Sequence, residues 1–418
     1  MMNYLDLFAG AGGLSEGFIQ AGYSPVAHVE MDLAACYTLK TRAAFHWLNE
    51  NGEVEIYNEY LKGIISRDDL YKHIPETVLA SVLNYEISDD SLPEICSRID
   101  RLLDGRTLDL IIGGPPCQAY SLVGRARSDM QGDKRNYLYK LYARFLNRYK
   151  PKYFVFENVV GLLSAKDEDG SLHFENMKKE FQKCGYSIEH KVLNAHDYGV
   201  LQNRKRLILI GKLGKESDFY PAIPSVDTTG ITVEEVLADL PAIHAGEGTY
   251  GLTKTKEYHG KYLYESMIKS FDHEPVTLHV ARPHTEQDLS IYRIAVETWN
   301  KNQERIRYTD LPIELRTHKN TTAFLDRFKV VARDLPFSQT VVAHISRDGH
   351  YYIHPDLKQN RSLTPREAAR LQTFPDNYYF ESIKKQGRTA AFRQIGNAVP
   401  VRLAFSIASA LKELFDKK

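Results

Sequence analysis

The feature that most constrains this chain is a succession of short apolar runs, each stopping at a polar or glycine-rich motif. The runs are YLDLF (Tyr4–Phe8), VAHVEM (Val26–Met31), LDLIIGG (Leu108–Gly114), YFVFENV (Tyr153–Val159) and RLILIG (Arg206–Gly211). Runs this short and this apolar read as strands of a parallel sheet, which is covered on both faces. Between them, GLSEGFIQAGY (Gly13–Tyr23) and NYLYKLYARFLNRYK (Asn136–Lys150) read as crossover helices, the second with Leu138, Leu141, Tyr142, Phe145 and Leu146 on its apolar side. The alternation predicts an α/β fold with a doubly wound, mostly parallel sheet over residues 1–212. The charged, weakly periodic stretch from about Arg42 to Ser91 predicts a helical insertion around that sheet.

From Leu213 the texture changes. Pro221, Pro224, Pro241, Gly246, Gly248 and Gly251 punctuate the chain, and histidine and tyrosine recur, which marks a boundary. Residues 213–359 read as a second, smaller and irregular domain. Residues 360–418 then return to the first domain through RSLTPREAARLQTFPD (Arg361–Asp376) and a closing helix in which Leu403, Ile407 and Leu411 repeat every four residues beside Phe405 and Ala408. The 418 residues are 43% hydrophobic and 26% charged, an ordinary globular balance, and no run approaches the roughly 20 apolar residues of a membrane helix. The opening MMNYLDLFAG has no basic segment ahead of its apolar run, so the expected location is the cytoplasm, with no membrane partner.

The four cysteines, Cys36, Cys96, Cys117 and Cys184, have neither metal-ligand spacing nor the density of a disulfide scaffold. Cys36, Cys96 and Cys184 read as small buried hydrophobes. The nine histidines between His244 and His354 show no metal-binding spacing, so no metal is expected. Formal net charge is zero, so any reading that involves a polyanionic partner must rest on motifs.

Four motifs carry chemistry. DLFAGAGGLSEGF (Asp6–Phe18) is a strand running through a glycine turn into a helix, where backbone N–H groups lie open to a carboxylate or phosphate. An ordinary tight turn, a dinucleotide site and an adenosine-cofactor site all suit it. Glu30, ending the next strand 18 residues after Gly12, can accept hydrogen bonds from ribose hydroxyls. In GGPPCQAYS (Gly113–Ser121), two prolines fix the approach of Cys117 at the carboxyl end of a strand, where ligands of α/β sheets bind. In FENV (Phe156–Val159), burial is expected to raise the pKa of Glu157 so that it can donate a proton, although a helix-capping Glu-Asn pair has the same pattern. In QNRKRLILIG (Gln202–Gly211), Arg204 and Arg206 alternate and are expected on one face, where two guanidinium forks suit a polarised base or a phosphate. A solvated strand edge is the plainer alternative.

With these four in order, the sequence resembles the DNA (cytosine-5)-methyltransferases of prokaryotic restriction-modification type. The resemblance covers residues 3–212 and 360–412 and includes Pro116–Gln118, Glu157–Val159, the Gln-x-Arg-x-Arg of Gln202–Arg206, Arg361–Asp376 and QIGNAVP at Gln394–Pro400. It implies a Rossmann-like sheet that binds S-adenosyl-L-methionine and releases S-adenosyl-L-homocysteine, with 213–359 as target-recognition domain. By the same resemblance Cys117, Glu157, Arg204 and Arg206 are catalytic. The cofactor contacts are Asp6, Phe8 (stacked on adenine), Ala9, Gly10, Gly12, Gly13, Leu14, Glu30 (on the ribose), Met31, Glu86, Pro115, Asn397 and Ala398. The family's acidic residue for the adenine amine has only NYEIS (Asn84–Ser88) as its counterpart, which leaves Glu86 or Asp89. The partner is double-stranded DNA, contacted by Gln118 and Ser121. Lys301–Arg333 holds eight Lys and Arg against four Asp and Glu, which makes Arg305, Arg307, Arg316 and Arg327 further candidates for DNA. A cognate restriction endonuclease would share the site without touching this chain, and a nucleoid-associated cytoplasmic location is expected.

Three rivals remain in view. An RNA methyltransferase of the same fold needs a smaller variable domain than this one. A DNA-binding module without activity would have no use for both Cys117 and Glu157. A nicotinamide oxidoreductase accounts for the first motif alone.

Overall fold

The computed structural model describes residues 1–116, 137–167, 169–384 and 387–416. Among these, seven strands form one sheet in the order β3-β2-β1-β4-β5-β7-β6: β1 Asn3–Leu7, β2 Ser24–Glu30, β3 Val82–Asn84, β4 Leu110–Gly113, β5 Tyr153–Asn158, β6 Tyr186–Asn194 and β7 Lys205–Leu213. All neighbouring pairs from β3 to β5 are parallel, and β7 runs antiparallel to both β5 and β6. That reversed strand distinguishes the sheet from the all-parallel 3-2-1-4-5-6 order of dinucleotide-binding folds. The chain winds from β1 outward to β2 and then back across to β4, so the topological switch point lies between β1 and β4. A ligand crevice is expected outside the carboxyl ends of those strands.

The five apolar runs became five of the strands. Alternation sends Leu5, Leu7, Val29, Ile111, Phe154, Phe156, Leu207 and Leu209 to one face, and Tyr4, Leu110, Ile112, Tyr153, Val155, Ile208 and Ile210 to the other. In the first half of the chain the helices are α1 Gly13–Gln20, α2 Leu33–Glu50, α3 Val54–Leu61, α4 Arg67–Lys72, α5 Glu76–Ala80, α6 Leu92–Leu103, α7 Leu138–Tyr149 and α8 His173–Lys183. The first sheet face is covered by α6, α7 and α8 through Ile95, Ile99, Tyr142, Phe145, Met177 and Phe181. The helical insertion appears as α2 to α5, and it also delivers the edge strand β3, which no apolar run announces.

Further along lie α9 Glu286–Asn302, α10 Pro365–Leu371, α11 Arg388–Asn397 and α12 Val401–Asp416. The second sheet face is covered by α1 and by α12, whose Leu403, Ile407 and Leu411 are fully buried. The two helices approach closely because α1 presents Gly13 and Gly17. A Cβ on Gly13 would stand 2.3 Å from the Val399 carbonyl, and one on Gly17 would stand 2.5 Å from the Ala404 Cβ. Most of segment 361–397 does not join the sheet. Leu363, Ala369, Leu371, Phe374 and Ile395 share a cluster with Val236, Tyr262, Leu278 and Val341 from the irregular region. That region has a small two-stranded sheet, β8 Gly248–Thr249 with β9 His279–Val280, and a separate cluster around α9 built on Tyr292, Val296, Trp299 and Phe328. Cys36, Cys96 and Cys184 are buried free thiols, as the sequence implies.

Candidate active site

The switch point divides the site into two flanks. On the cofactor flank, β1 is followed by Phe8, which takes a left-handed backbone conformation (φ 58°), and then by Gly10 (φ 55°) and Gly12 (φ 78°). For a phenylalanine that conformation is a strained one, held only where the surroundings over-determine it. Gly12 caps α1, and a Cβ there would lie 2.8 Å from Leu39 and 2.9 Å from the Tyr378 hydroxyl oxygen. Tyr378 donates to the Ala11 carbonyl at 2.5 Å, so the returning segment braces the glycine loop. Behind the loop, buried Glu16 of α1 pairs with Arg42 of α2 at 2.6 Å. Burial alone would push the Glu16 carboxyl up, but Arg42 and His46 hold it well below the usual carboxylate range.

The Glu30 carboxylate accepts from the Gly10 and Asp32 N–H groups, each at 2.8 Å. Burial raises its pKa against those two bonds. Each oxygen keeps a second lone pair for a ribose hydroxyl. Asp6 is buried with one oxygen, Oδ2, left without a hydrogen-bond partner, and burial and the nearby Glu30 raise its pKa well above the ordinary value. An orphaned carboxylate oxygen under a glycine loop suits a ligand that brings a donor or a positive charge. A side chain on Gly10 would meet nothing within 4 Å, so the loop is open at that point. Met31, beside Glu30, is 60% exposed. These features fit S-adenosylmethionine, which carries both ribose hydroxyls and an ammonium group.

Other residues expected at the cofactor divide. Asn397 is exposed, and Ala398 lies so near Gly13 that a Cβ on Gly13 would be 3.2 Å from its own. Gly13 abuts the Val399 carbonyl, and Leu14 is buried in the cluster under α12. Ala9 packs beside Cys36 and Leu39. Glu86 is exposed just past β3, whereas Asp89 is held in an ion pair with Arg144.

On the other flank, Cys117, Gln118 and Ser121 lie outside the described residues. The residues that lead to them, Gly114–Pro116, are described, and Gly114 and Pro115 sit against β5. A Cβ on Gly114 would fall 2.6 Å from the Glu157 carbonyl oxygen and 2.7 Å from its Oε2, and Asn158 donates to the Pro115 carbonyl at 3.4 Å. Pro115 is buried. Across the β5–β7 pair, Arg206 Nε meets Glu157 Oε1 at 2.7 Å, the two side chains 13% and 15% exposed. The expectation that both arginines share a face is corrected here. Arg204 precedes β7 instead of lying in it, is buried, and donates to the carbonyls of Val341, Gly396 and Ala398. Only Arg206 reaches Glu157.

In the irregular region Arg305 and Arg307 are exposed. Arg316 donates to the Leu311 carbonyl at 2.6 Å, and Arg327 is paired with Asp348 between the rings of Phe324 and Tyr351. These partners compete with DNA for the last two. Several histidines serve as internal hydrogen-bonding groups: His279 to Thr364 and Pro241, His284 to Ser362, His350 to Tyr292. Sequence motifs contain Gln202 and Gln372 without giving either a structural role, and Tyr378 lies outside them, since buried polar residues carry no periodic signal.

The chain matches the family model of the C-5 cytosine-specific DNA methylases over residues 2–65 and 84–413. It is 40% identical to the type II methyltransferase M.Bpa9945I of Bacillus paralicheniformis, with 99% of each chain covered. To M.DdeI of Desulfomicrobium norvegicum it is 31% identical over 99% of this chain and 89% of that one. Among solved structures, a protein encoded within an E. coli prophage aligns over the whole of both chains with a TM-score of 0.65 at 23% identity. The Entamoeba histolytica methyltransferase EhMeth aligns over all of this chain and 98% of that one with a TM-score of 0.55 at 15% identity.

Proposed function

Because this chain belongs to the C-5 cytosine-specific DNA methylases, and so methylates carbon 5 of cytosine in DNA, we propose that it acts through a covalent bond from Cys117 to C6 of a cytosine swung out of the duplex. Ring carbon C5 is too weak a nucleophile while the base is aromatic. A thiol near its ordinary pKa is only a few per cent thiolate at neutral pH, but the thiolate is a strong nucleophile. Cys117 adds to C6, and the displaced ring electrons are accommodated as Glu157 hydrogen-bonds or protonates N3. Arg206 polarises the ring carbonyl and holds Glu157 in place. Phe8, Glu30 and Asp6 around the glycine loop would hold S-adenosylmethionine, which would supply an electrophilic methyl group on a sulfonium sulfur. Once C5 carries the methyl group, with S-adenosyl-L-homocysteine as the leaving group, loss of the C5 proton to a base returns an electron pair to the ring and expels Cys117 as its thiolate, and Glu157 takes back any proton it gave to N3. The base must leave the stack for this, at a cost of a few kcal/mol.

The observation that carries this reading is the Glu157–Arg206 pair at 2.7 Å against Gly114, two residues from the Pro116–Gln118 motif. Residues 213–359 would hold target recognition, with Arg305 and Arg307 towards DNA. The type II names of the relatives support a restriction-modification role, with an endonuclease of the same target acting separately in a nucleoid-associated cytoplasmic setting. The test is transfer of labelled methyl from S-adenosylmethionine to plasmid DNA, followed by hydrolysis to nucleosides. Label in 5-methylcytosine is expected; label in N4-methylcytosine or N6-methyladenine would overturn the mechanism.

A further inference from the structure

The entrance to β7 holds a buried polar junction that the catalytic reading leaves unused. Arg204, 1% exposed, donates to the Val341 carbonyl at 2.7 Å, the Ala398 carbonyl at 2.8 Å and the Gly396 carbonyl at 3.2 Å. Gln202, fully buried, donates to the Leu371 carbonyl at 2.8 Å and accepts from the Val341 N–H at 2.9 Å. Gln372 donates to the Ile395 carbonyl at 2.8 Å. Outside this core, Gln202 forms a bridge with Ser338, and the Thr340 hydroxyl donates to the Asn203 carbonyl at 2.5 Å. One side chain therefore joins three places: the C-terminal end of α11 at Gly396–Ala398, next to Gly13; the segment 338–341 of the irregular region; and, through its own backbone just before β7, the strand that carries Arg206.

We infer that Arg204 and Gln202 are positioning residues through which cofactor binding and DNA binding are made interdependent. A fixed planar donor fork bound to carbonyls on both sides lets neither side shift alone. Any DNA-driven movement of 338–341 is thus passed to the end of α11 beside Gly13, and cofactor binding is passed back with equal strength, because such coupling is reciprocal. This rests on the proposed placement of DNA recognition in residues 213–359. The charge of Arg204 alone would not suffice: a lysine there keeps the charge but, with its three donors on one nitrogen, lacks the spread planar fork that reaches carbonyls on both sides.

The test measures binding of S-adenosylhomocysteine to the full chain by calorimetry, with and without unmethylated plasmid DNA. Wild-type protein should bind it about fivefold or more tightly with DNA present, the low end of ordinary coupling. Arg204→Lys should bring that ratio below about twofold and raise KM for S-adenosylmethionine more than it lowers kcat. Thr340→Val, which removes one outer hydrogen bond and no buried charge, should lower the ratio with an unchanged Tm, and so answers the question if Arg204→Lys folds poorly. An unchanged ratio in Thr340→Val and in a folded Arg204→Lys, or no DNA effect in a wild-type protein that methylates DNA, overturns the inference. Wild-type protein that methylates no DNA would instead refute the function itself.

Discussion

The sheet unit and the irregular region bury their interiors with different chemistry. In the sheet unit the interior is aliphatic and aromatic, from Leu5 and Val29 through Phe154 and Leu209, and much of its polar machinery is gathered at the carboxyl ends of the strands. The irregular region and the segment packed against it are fastened by buried arginines. Arg361 pairs with Glu367, Arg370 with both Asp239 and Asp376, and Arg366 donates to the carbonyls of Thr277, Pro375 and Tyr378, all three arginines fully buried. The lesson concerns division of labour. Alternating apolar runs build a stiff platform from local information, whereas a region free to vary in its loops is tied down by a few long, forked side chains that reach backbone carbonyls wherever these happen to lie.

If the sheet unit alone carries the chemistry, its charged pair should matter most. Glu157→Gln is expected to lower kcat by about 100- to 10,000-fold, the usual worth of a general acid or base. Binding of S-adenosylhomocysteine should stay unchanged, while Phe8→Ala should show the reverse pattern. Steady-state kinetics with calorimetry checks this, and matching defects in both variants would erase the separation of the two flanks.

The contrast in packing is broken or sharpened next. Arg370→Met leaves Asp239 and Asp376 buried without their main partner and should cost about 3–5 kcal/mol, whereas Ile407→Val under the sheet should cost only about 0.5–1.5 kcal/mol. Chemical denaturation of both variants decides it. Equal losses would mean that the arginine ties contribute no more than an ordinary core methyl group.

Two histidines give a gentler comparison. Burial, with His46 nearby, brings His28 in the sheet unit down to about 4, and burial above all brings His284 in the irregular region to about 4 as well. Folded His28 refuses a proton that the unfolded chain accepts below its ordinary pKa of 6.5, so its contribution is intact above that pH and is lost as pH falls towards about 4. The full loss approaches about 3 kcal/mol. His28→Gln should flatten the stability profile in that window, and His284→Gln should flatten it less because its ring is partly exposed. A larger effect from His284 would reverse the ranking.

The smallest effects are expected at the surface. Arg305→Ala should reduce the slope of log affinity for DNA against log salt by about one, as loss of a phosphate contact does. Arg327→Ala, whose guanidinium is already engaged by Asp348, should leave the slope nearly unchanged. Filter binding across a salt series separates them.

The same contrast explains what could be read from the sequence. β1, β2, β4, β5 and β7 were legible because each is an apolar run bounded by turn residues. β3 has only three residues, and β6 runs along the sheet edge as YSIEHKVLN with Glu189, His190 and Lys191 in it, so neither announces itself. Glu30, Glu157 and Arg206 were legible as polar residues at strand ends. The two-residue repeat puts Arg204 on the face of Arg206, but that repeat governs only residues inside the strand, and Arg204 stands just before it. Arg361, Arg366 and Arg370 look like surface charge in a sequence, because only the tertiary fold brings them their carboxylate and carbonyl partners.

The central claim, that Cys117 attacks cytosine C6 beside Glu157 and Arg206, meets its most direct test in a duplex substituted throughout with 5-fluorocytosine. Fluorine at C5 cannot leave as a proton does, so the enzyme and S-adenosylmethionine should yield a protein–DNA adduct that survives denaturation. Mass spectrometry should place that adduct on the peptide containing Cys117, and the Cys117→Ser variant should form none. An adduct on another residue, or a wild-type enzyme that methylates ordinary DNA but leaves no adduct on the fluorinated duplex, would contradict the account.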